Sequence, residues 1–164
     1  MTSAIEQQAL NKTLRLLKLA MEHYKTPLPE LDIRFDLTGR AAGMIVFPAV
    51  GNPVIRYNRV LLSENPEPFV QQTLPHEVAH LVARTLFGSS IRPHGREWQE
   101  VMAFFGADAR RCHLFDTSRS VRRHLQRFSY SCGCTTHQLT SIRHRRVLAG
   151  QVYRCRACGE ALKE

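Results

Sequence analysis

The stretch LPHEVAHLVARTLFG at residues 74–88 contains the pentapeptide His76-Glu77-Val78-Ala79-His80, around which the rest of the chain is interpreted. Its apolar residues recur with the spacing of a helix. On a helix, positions i and i+4 lie on one face, so His76 and His80 can bind one Zn²⁺ ion together. Glu77 points to the side of that face, where a general base can reach a zinc-activated water without binding the metal. The pattern predicts a zinc hydrolase.

A catalytic zinc site usually has three protein ligands, and we expect the third from the element that follows this helix. We predict His94, because it lies in Pro93-His94-Gly95 at a loop–helix junction and glycine permits close approach of the chain. Glu97 and Glu100, one and two turns further on, are the alternatives, since either carboxylate would complete a site with two histidines and one glutamate.

The surrounding pattern predicts a small α+β domain over residues 1–110. Helical periodicity, period-two alternation and turn residues distinguish its elements. Pro75 removes a backbone hydrogen bond from the histidine-bearing helix and is expected to bend it. In chain order, we expect a helix at 4–24, three strands at 32–37, 44–47 and 54–57, the histidine-bearing helix at about 67–87 and a further helix at 97–105.

A second metal site is predicted from the clustered cysteines near the end of the chain. Cys155 and Cys158 form a CxxC knuckle that is followed by glycine. Upstream, Cys132 and Cys134 form the expected partner pair, but Cys134 and His137 also have the two-residue gap of a knuckle, so His137 stays an alternative ligand. Four ligands would close a structural zinc site, and zinc binding would supply folding free energy to a segment with little aliphatic core.

The net positive charge of the chain lies in its last third. Residues 1–108 contain 11 Lys and Arg and 11 acidic residues, whereas residues 109–164 contain 12 Lys and Arg against three acidic residues, which accounts for the formal charge of +9. Such a segregated patch indicates a polyanionic partner, most often nucleic acid, although a solubilising surface is the simpler alternative. We expect the basic run at 143–146 to lie on one face of a two-hairpin zinc ribbon. We divide this part into a basic connector at 111–128 and a zinc-ribbon-like segment at 129–164.

The sequence gives no sign of a membrane or secretory route. No stretch approaches the ~20 apolar residues of a membrane span. The N-terminal segment lacks the basic region and uninterrupted apolar core of a secretory signal. We therefore expect a cytoplasmic protein with no membrane partner, and in a reducing cytoplasm clustered cysteines are metal ligands more often than disulfides.

The motifs together resemble the bacterial SprT family over nearly the whole chain. The resemblance rests on LPHEVAHLVARTLFG, on PHGREW at 93–98, on C-x-C-x-x-H-Q-L-T from residue 132 and on YRCRACG at 153–159. It implies a minimal zincin-like metalloprotease domain followed by a zinc ribbon. By position, the family's metal ligands would be His76, His80 and His94, and its catalytic glutamate would be Glu77. The eukaryotic relative Spartan is a protease that acts, in a DNA-dependent manner, on proteins crosslinked to DNA.

Three functional hypotheses follow. The first is a zinc metallopeptidase with one catalytic and one structural Zn²⁺, which uses Glu77 as general base and acts on proteins bound or crosslinked to DNA through its basic last third. The second is a catalytically idle zinc-binding module that binds nucleic acid. The third is a zinc hydrolase for a small non-peptide substrate, for which no residue of the sequence identifies a pocket.

Overall fold

The chain divides into two units in the computed structural model, which describes residues 3–121 and 126–164. The first unit is Met1–Arg122 and the second is Arg123–Glu164. The predicted connector at 111–128 crosses this division. Its residues 122–125 lie outside the described part of the chain, and its residues 111–121 belong to the first unit. The domain boundaries at 110 and 128 stay predictions.

Helix α1 (Ala4–Tyr24) opens the first unit, as predicted, and packs against the histidine-bearing helix. Its start is fixed by a capping box, in which the Ser3 hydroxyl accepts a hydrogen bond from the Glu6 backbone N–H and the Glu6 carboxylate accepts one from the Ser3 backbone N–H. It ends at Lys25, whose backbone is left-handed at φ 52°. Within residues 3–121 and 126–164, no helix combines the length and the apolar character that crossing a bilayer requires.

Three short strands form the sheet of the first unit, in the order β1-β3-β2. The central strand runs parallel to β1 and antiparallel to β2, and its Ile55 and Tyr57 are fully buried. Strand β1 ends at Arg34, three residues earlier than predicted. Because β2 is at the edge of the sheet, only one of its two sides is paired with another strand in the described structure. The strands are β1 (Asp32–Arg34), β2 (Gly43–Val46) and β3 (Val54–Tyr57).

The histidine-bearing helix is not continuous from residue 67. A single turn, α3 (Pro66–Pro68), is followed by a π-helical segment (Phe69–Thr73) and then by α4 (Leu74–Phe87). The Leu74 N–H donates to the carbonyl oxygen of Phe69, five residues back, as a π-helix requires. Pro75 thereby becomes an early residue of α4, where its missing N–H costs no helical hydrogen bond. The hydrogen-bond pattern changes from π-helical to α-helical just before this proline, and the predicted bend stays a prediction.

Two further helices complete the first unit. Helix α5 (Arg96–Phe104) lies one residue ahead of its predicted position and packs on α4. Helix α2 (Arg59–Glu64) was not predicted, because its six residues are too few to show a helical period. Its signal in the sequence is Asn58, whose side chain accepts a hydrogen bond from the Leu61 backbone N–H and caps the helix.

Residues 107–121 contain no helix or strand, and Asn58 ties their end to the sheet. Fully buried, the Asn58 side-chain nitrogen lies 2.6 Å from the Ser120 hydroxyl and 3.2 and 3.0 Å from the carbonyl oxygens of Gly39 and Ala41. The Gly39 N–H in turn donates to the carbonyl oxygen of Ser120 at 3.0 Å. These bonds satisfy polar groups that have lost contact with water, so this segment is a fixed part of the first unit.

The second unit is a hairpin followed by a helix. Strands β4 (Arg127–Ser131) and β5 (Thr136–Thr140) pair antiparallel, and helix α6 (Ser141–Leu148) follows directly. His144 of α6 stacks on Phe128 with ring centroids 3.6 Å apart. The expectation that the basic run at 143–146 lies on a hairpin was wrong. Between Ser141 and Leu148 there is no glycine or proline, and Arg and Leu favour a helix.

Replacing Asn58 by alanine tests the attachment of residues 107–121. Asn58→Ala should lower the free energy of unfolding of the first unit by about 2–4 kcal/mol, because it leaves several buried polar groups without partners. Urea denaturation followed by the fluorescence of Trp98, the single tryptophan of the chain, measures the change. Asn11→Ala on the exposed face of α1 is the matched control and should change the stability by less than about 0.5 kcal/mol. Equal stability of the two variants would contradict this description.

Candidate metal centres and catalytic cleft

Three imidazole rings converge in the first unit, two from α4 and one from the loop before α5. Nε2 of His94 lies 3.0 Å from Nε2 of His76 and 3.1 Å from Nε2 of His80. A tetrahedral Zn²⁺ with Zn–N bonds of about 2.0–2.1 Å holds two nitrogen ligands about 3.3 Å apart. The donor set and its spacing therefore fit one zinc ion with three histidine ligands and a remaining open position.

His94 reaches the other two rings because its own backbone is left-handed, with φ 58°. This conformation is uncommon for a residue other than glycine and is tolerated mainly where function requires it. Gly95 was expected to provide the close approach, but it serves the turn instead, since a Cβ on Gly95 would lie 2.9 Å from the carbonyl oxygen of Arg92. Among the described residues, the ligand atoms within 4.8 Å of one another at this site belong to the three histidines and to neither Glu97 nor Glu100.

The environment of the rings keeps them neutral and oriented. Burial lowers the pKa of His76 to about 4 and the pKa of His80 to about 3, so both rings have free lone pairs at neutral pH, as metal binding requires. The fully buried Trp98 packs against all three rings, with centroid distances of 4.8, 5.5 and 4.7 Å, and its indole N–H donates to the carbonyl oxygen of His76. From the sequence, Trp98 was only an apolar residue of an amphipathic helix.

The Glu77 side chain is buried between α4 and strand β2. It is only 5% exposed, and this burial raises the pKa of its carboxyl group to about 8, partly opposed by a hydrogen bond with the Ile45 backbone. A Cβ on Gly43 would lie 2.6 Å from both Cγ and Oε1 of Glu77. Gly43 therefore makes the room that the carboxylate occupies. Glu77 is adjacent to His76 in the sequence, but its carboxylate oxygens are not among the ligand atoms that converge at this site.

A cavity of about 490 Å³ lies beside His76 and Glu77. One wall comes from residues 40–43, which lead into β2, and another comes from the segment 110–117. His113 connects the two walls. Its Nδ1 accepts the Phe115 backbone N–H at 3.1 Å, so its Nε2 carries the proton and donates to the carbonyl oxygen of Arg40 at 2.9 Å. The part of the chain predicted to be a connector thus forms one side of a cleft at the three-histidine site.

Four thiols converge in the second unit. The Sγ atom of Cys134 lies 3.4 Å from that of Cys132 and 3.6 Å from that of Cys155, and all four sulfur atoms, including that of Cys158, lie within 4.8 Å of one another. None of these cysteines forms a disulfide. Zn–S bonds of about 2.3 Å would place sulfur ligands about 3.8 Å apart, so the cluster fits a closed tetrahedral zinc site.

His137, the alternative ligand, contacts this cluster without completing it. Its Nε2 lies 3.3 Å from the Cys132 sulfur, but His137 is not among the four residues whose ligand atoms converge. The Cys134 backbone N–H and then the His137 ring stabilise the Cys132 thiolate and lower its pKa to about 5, while the contact with this thiolate raises the pKa of His137. This geometry is that of a hydrogen-bond donor to a ligand, which orients the ligand and tunes its affinity.

A double-mutant cycle tests the fit of Glu77 against the edge strand. Gly43→Ala should lower the free energy of unfolding by about 1–3 kcal/mol, because the new methyl group overlaps the Glu77 side chain. Glu77→Ala removes every atom of that overlap, so Gly43→Ala should cost less than about 1 kcal/mol in the Glu77→Ala background. Urea denaturation of the unchanged protein, the two single variants and the double variant gives the coupling free energy between residues 43 and 77. An equal cost in both backgrounds would show that Gly43 does not make room for this carboxylate.

The chain matches two family models that together cover most of its length. The SprT-like family matches residues 13–118, and the SprT-like zinc ribbon domain matches residues 126–164. No solved structure matches the chain.

Curated relatives agree with these matches. Protein SprT of Serratia proteamaculans is 42% identical over 160 residues, which is 96% of this chain and 90% of the relative. Protein SprT of Escherichia coli O157:H7 is 44% identical over 95% of this chain and 92% of the relative, and that of Yersinia pestis is 41% identical over 96% and 90%. The predicted α+β class with a C-terminal zinc ribbon is confirmed. The chain belongs to the SprT-like family, whose zinc ribbon domain forms its second unit.

Proposed function

We propose that this protein is a zinc-dependent metallopeptidase that cleaves proteins bound or crosslinked to DNA. The observation that carries the proposal is the convergence of His76, His80 and His94 next to the buried carboxyl group of Glu77, at a cleft of about 490 Å³. Three histidines with an open fourth position are the ligand set of catalytic rather than structural zinc.

The roles of the residues follow from their places. Zinc held by the three histidines would supply a Lewis acid that makes water more acidic and polarises a carbonyl group. Glu77 accepts the proton of the attacking water and then donates it to the leaving amine. A cation in the adjacent site favours the ionised carboxylate, so Glu77 would be a base at neutral pH although its pKa without the metal is raised to about 8, chiefly by burial. Trp98 and the Arg110 backbone hold the His76 side of the site in place.

The unpaired edge of β2 supports a peptide as substrate over a small molecule. The Asn58 N–H donates to the carbonyl oxygen of Ala42 at 2.8 Å, so the hydrogen-bonding groups of Ala42 face β3. Because these groups alternate in an antiparallel ladder, those of Gly43 and Ile45 face the opposite edge, where the Ile45 backbone bonds Glu77 and Gly43 lines the cleft. That edge passes beside Glu77. An extended peptide can pair with such an edge and bring its backbone carbonyl to the catalytic residues.

Replacing Glu77 by glutamine tests the catalytic assignment. Glu77→Gln keeps the size of the side chain but removes its basicity, so proteolysis should fall by about 10²–10⁴-fold while the zinc content stays that of the unchanged protein. Cleavage of a DNA-bound protein, followed by gel electrophoresis with zinc measured by mass spectrometry, gives both quantities. Glu100→Gln on the exposed side of α5 is the control and should retain activity. Equal cleavage by Glu77→Gln would refute the mechanism, and no cleavage by the unchanged protein would favour an idle DNA-binding module.

The excess of positive charge in the second unit supports the proposal that the protein binds DNA to which its substrate is attached. Residues 126–164 contain seven Lys and Arg against two acidic residues. Within the described part of the chain none of these seven is in an ion pair, and all seven are exposed. Arg143, Arg145 and Arg146 lie together on α6. Such residues bind phosphates without reading sequence, which suits a protease whose substrates are defined by being on DNA.

The proposed location follows from the chemistry of the second site. We place the protein in the cytoplasm, where reducing conditions keep its free cysteines as thiols able to bind zinc.

A double substitution on α6 tests DNA binding. Arg143→Ala/Arg146→Ala should weaken binding to a DNA duplex and reduce the slope of log affinity against log salt by about 2, since each arginine that contacts a phosphate adds about one unit. Fluorescence anisotropy at several salt concentrations measures both. Lys12→Ala/Arg15→Ala on α1 removes the same charge from the first unit and should leave the slope unchanged. An equal loss of slope in the two variants would mean that net charge, and not α6, determines binding.

A further inference from the structure

The cleft beside Glu77 carries an excess of positive charge. Arg40, Arg110 and Arg111 line it, and Glu77 is the only acidic residue among the described residues of its walls. Asp108 pairs with Arg110 at 2.7 Å. Neither Arg40 nor Arg111 has an ion-pair partner in residues 3–121 and 126–164. The positive charges of these two guanidinium groups are therefore not balanced by an ion pair. A metal ion bound at the histidines would add further positive charge.

These two arginines belong to two different segments of the chain that line the cleft. Arg40 belongs to the wall formed by residues 40–43, and Arg111 is part of the irregular segment 110–117. The hydrogen bond from His113 to the Arg40 carbonyl oxygen joins the two walls. The cleft is therefore lined by arginines from two separate segments of the chain and borders His76.

We propose that Arg40 and Arg111 bind a carboxylate side chain of the substrate, so that the cleft selects peptides with an aspartate or glutamate next to the bond to be cleaved. The proposal rests on the peptidase function proposed above and names the substrate class of that site. Arginine binds carboxylates through two parallel, charge-assisted hydrogen bonds. Phe115 and Ala41 in the same walls provide apolar surface, which strengthens such bonds by keeping water away.

A nucleic-acid phosphate has the same charge, but the geometry favours a peptide. The cleft includes Gly43 of the edge strand, whose free backbone groups match those of an extended polypeptide. A phosphodiester in this cavity would also offer no carbonyl group to the catalytic residues. We therefore assign phosphate binding to α6 and carboxylate binding to the cleft.

Matched peptides test the assignment on the full-length, zinc-loaded protein. A peptide that is cleaved is resynthesised with Glu, Gln or Lys at each position that flanks the cleaved bond, and kcat/KM is measured for each. At one flanking position the unchanged protein should prefer Glu over Gln by about tenfold or more. Arg40→Ala and Arg111→Ala should each reduce this preference to about threefold or less, and Arg111→Glu should invert it in favour of Lys. Arg34→Ala, on β1 and paired with Asp32, is the control and should keep the preference.

A binding measurement separates this inference from the peptidase proposal. Fluorescence anisotropy with the Glu77→Gln variant, which needs no turnover, should show tighter binding of the Glu peptide than of the Gln peptide, and Arg111→Ala in that background should remove the difference. Cleavage with no preference, or with a preference that both arginine variants retain, would overturn the inference and leave the peptidase function standing. Loss of single-stranded oligonucleotide binding in the arginine variants, without discrimination among peptides, would overturn it in favour of a phosphate site. If no peptide is cleaved, the peptidase proposal fails and the anisotropy result alone decides whether the cleft binds carboxylates.

Discussion

A carboxyl group buried beside three imidazoles is the constraint around which the first unit is built. Removing an ionisable group from water is costly unless the surroundings are made for it. Here Gly43 leaves the space, the Ile45 backbone offers a hydrogen bond, and α4 places Glu77 next to His76. The π-helical segment ahead of Pro75 and the left-handed backbone of His94 are local departures from regular structure that together bring the histidines to this carboxyl group. Departures of this kind concentrate at functional sites.

The metal-binding pattern could be predicted from the sequence because its information is local. An i, i+4 pair of histidines on an amphipathic helix defines a face whatever the rest of the chain does, and a CxxC knuckle brings its two sulfurs together in the same way. His94, the candidate third ligand, was predicted from its place at the loop–helix junction that follows the histidine-bearing helix. Its left-handed backbone could not be predicted, since φ at this position is determined by the turn with Arg92 and by packing against Trp98.

What the sequence did not reveal depends on contacts between distant segments. Gly43 and Glu77 are far apart in the sequence, so only the structure shows that one makes room for the other. Residues 111–117 were predicted to be part of a basic connector, yet they line the cleft because His113 and Ser120 bond to residues 39–40 and to Asn58. In the second unit we expected a second hairpin, although the residue types at 141–148 favour a helix. The structure follows this local preference.

The two candidate zinc sites lie in different surroundings. Locating the bound zinc ions is the most direct test of both sites. The three-histidine site borders an aliphatic core and a cleft, whereas the four-cysteine site holds together a unit with few buried apolar side chains. Crystals of the zinc-loaded protein, measured with anomalous diffraction at the zinc absorption edge, should give two peaks. One should lie about 2.0–2.1 Å from Nε2 of His76, His80 and His94, and the other about 2.3 Å from the four cysteine sulfurs. A filled cysteine site with no peak at the histidines, or a histidine-site metal bound directly by Glu77, would contradict the account.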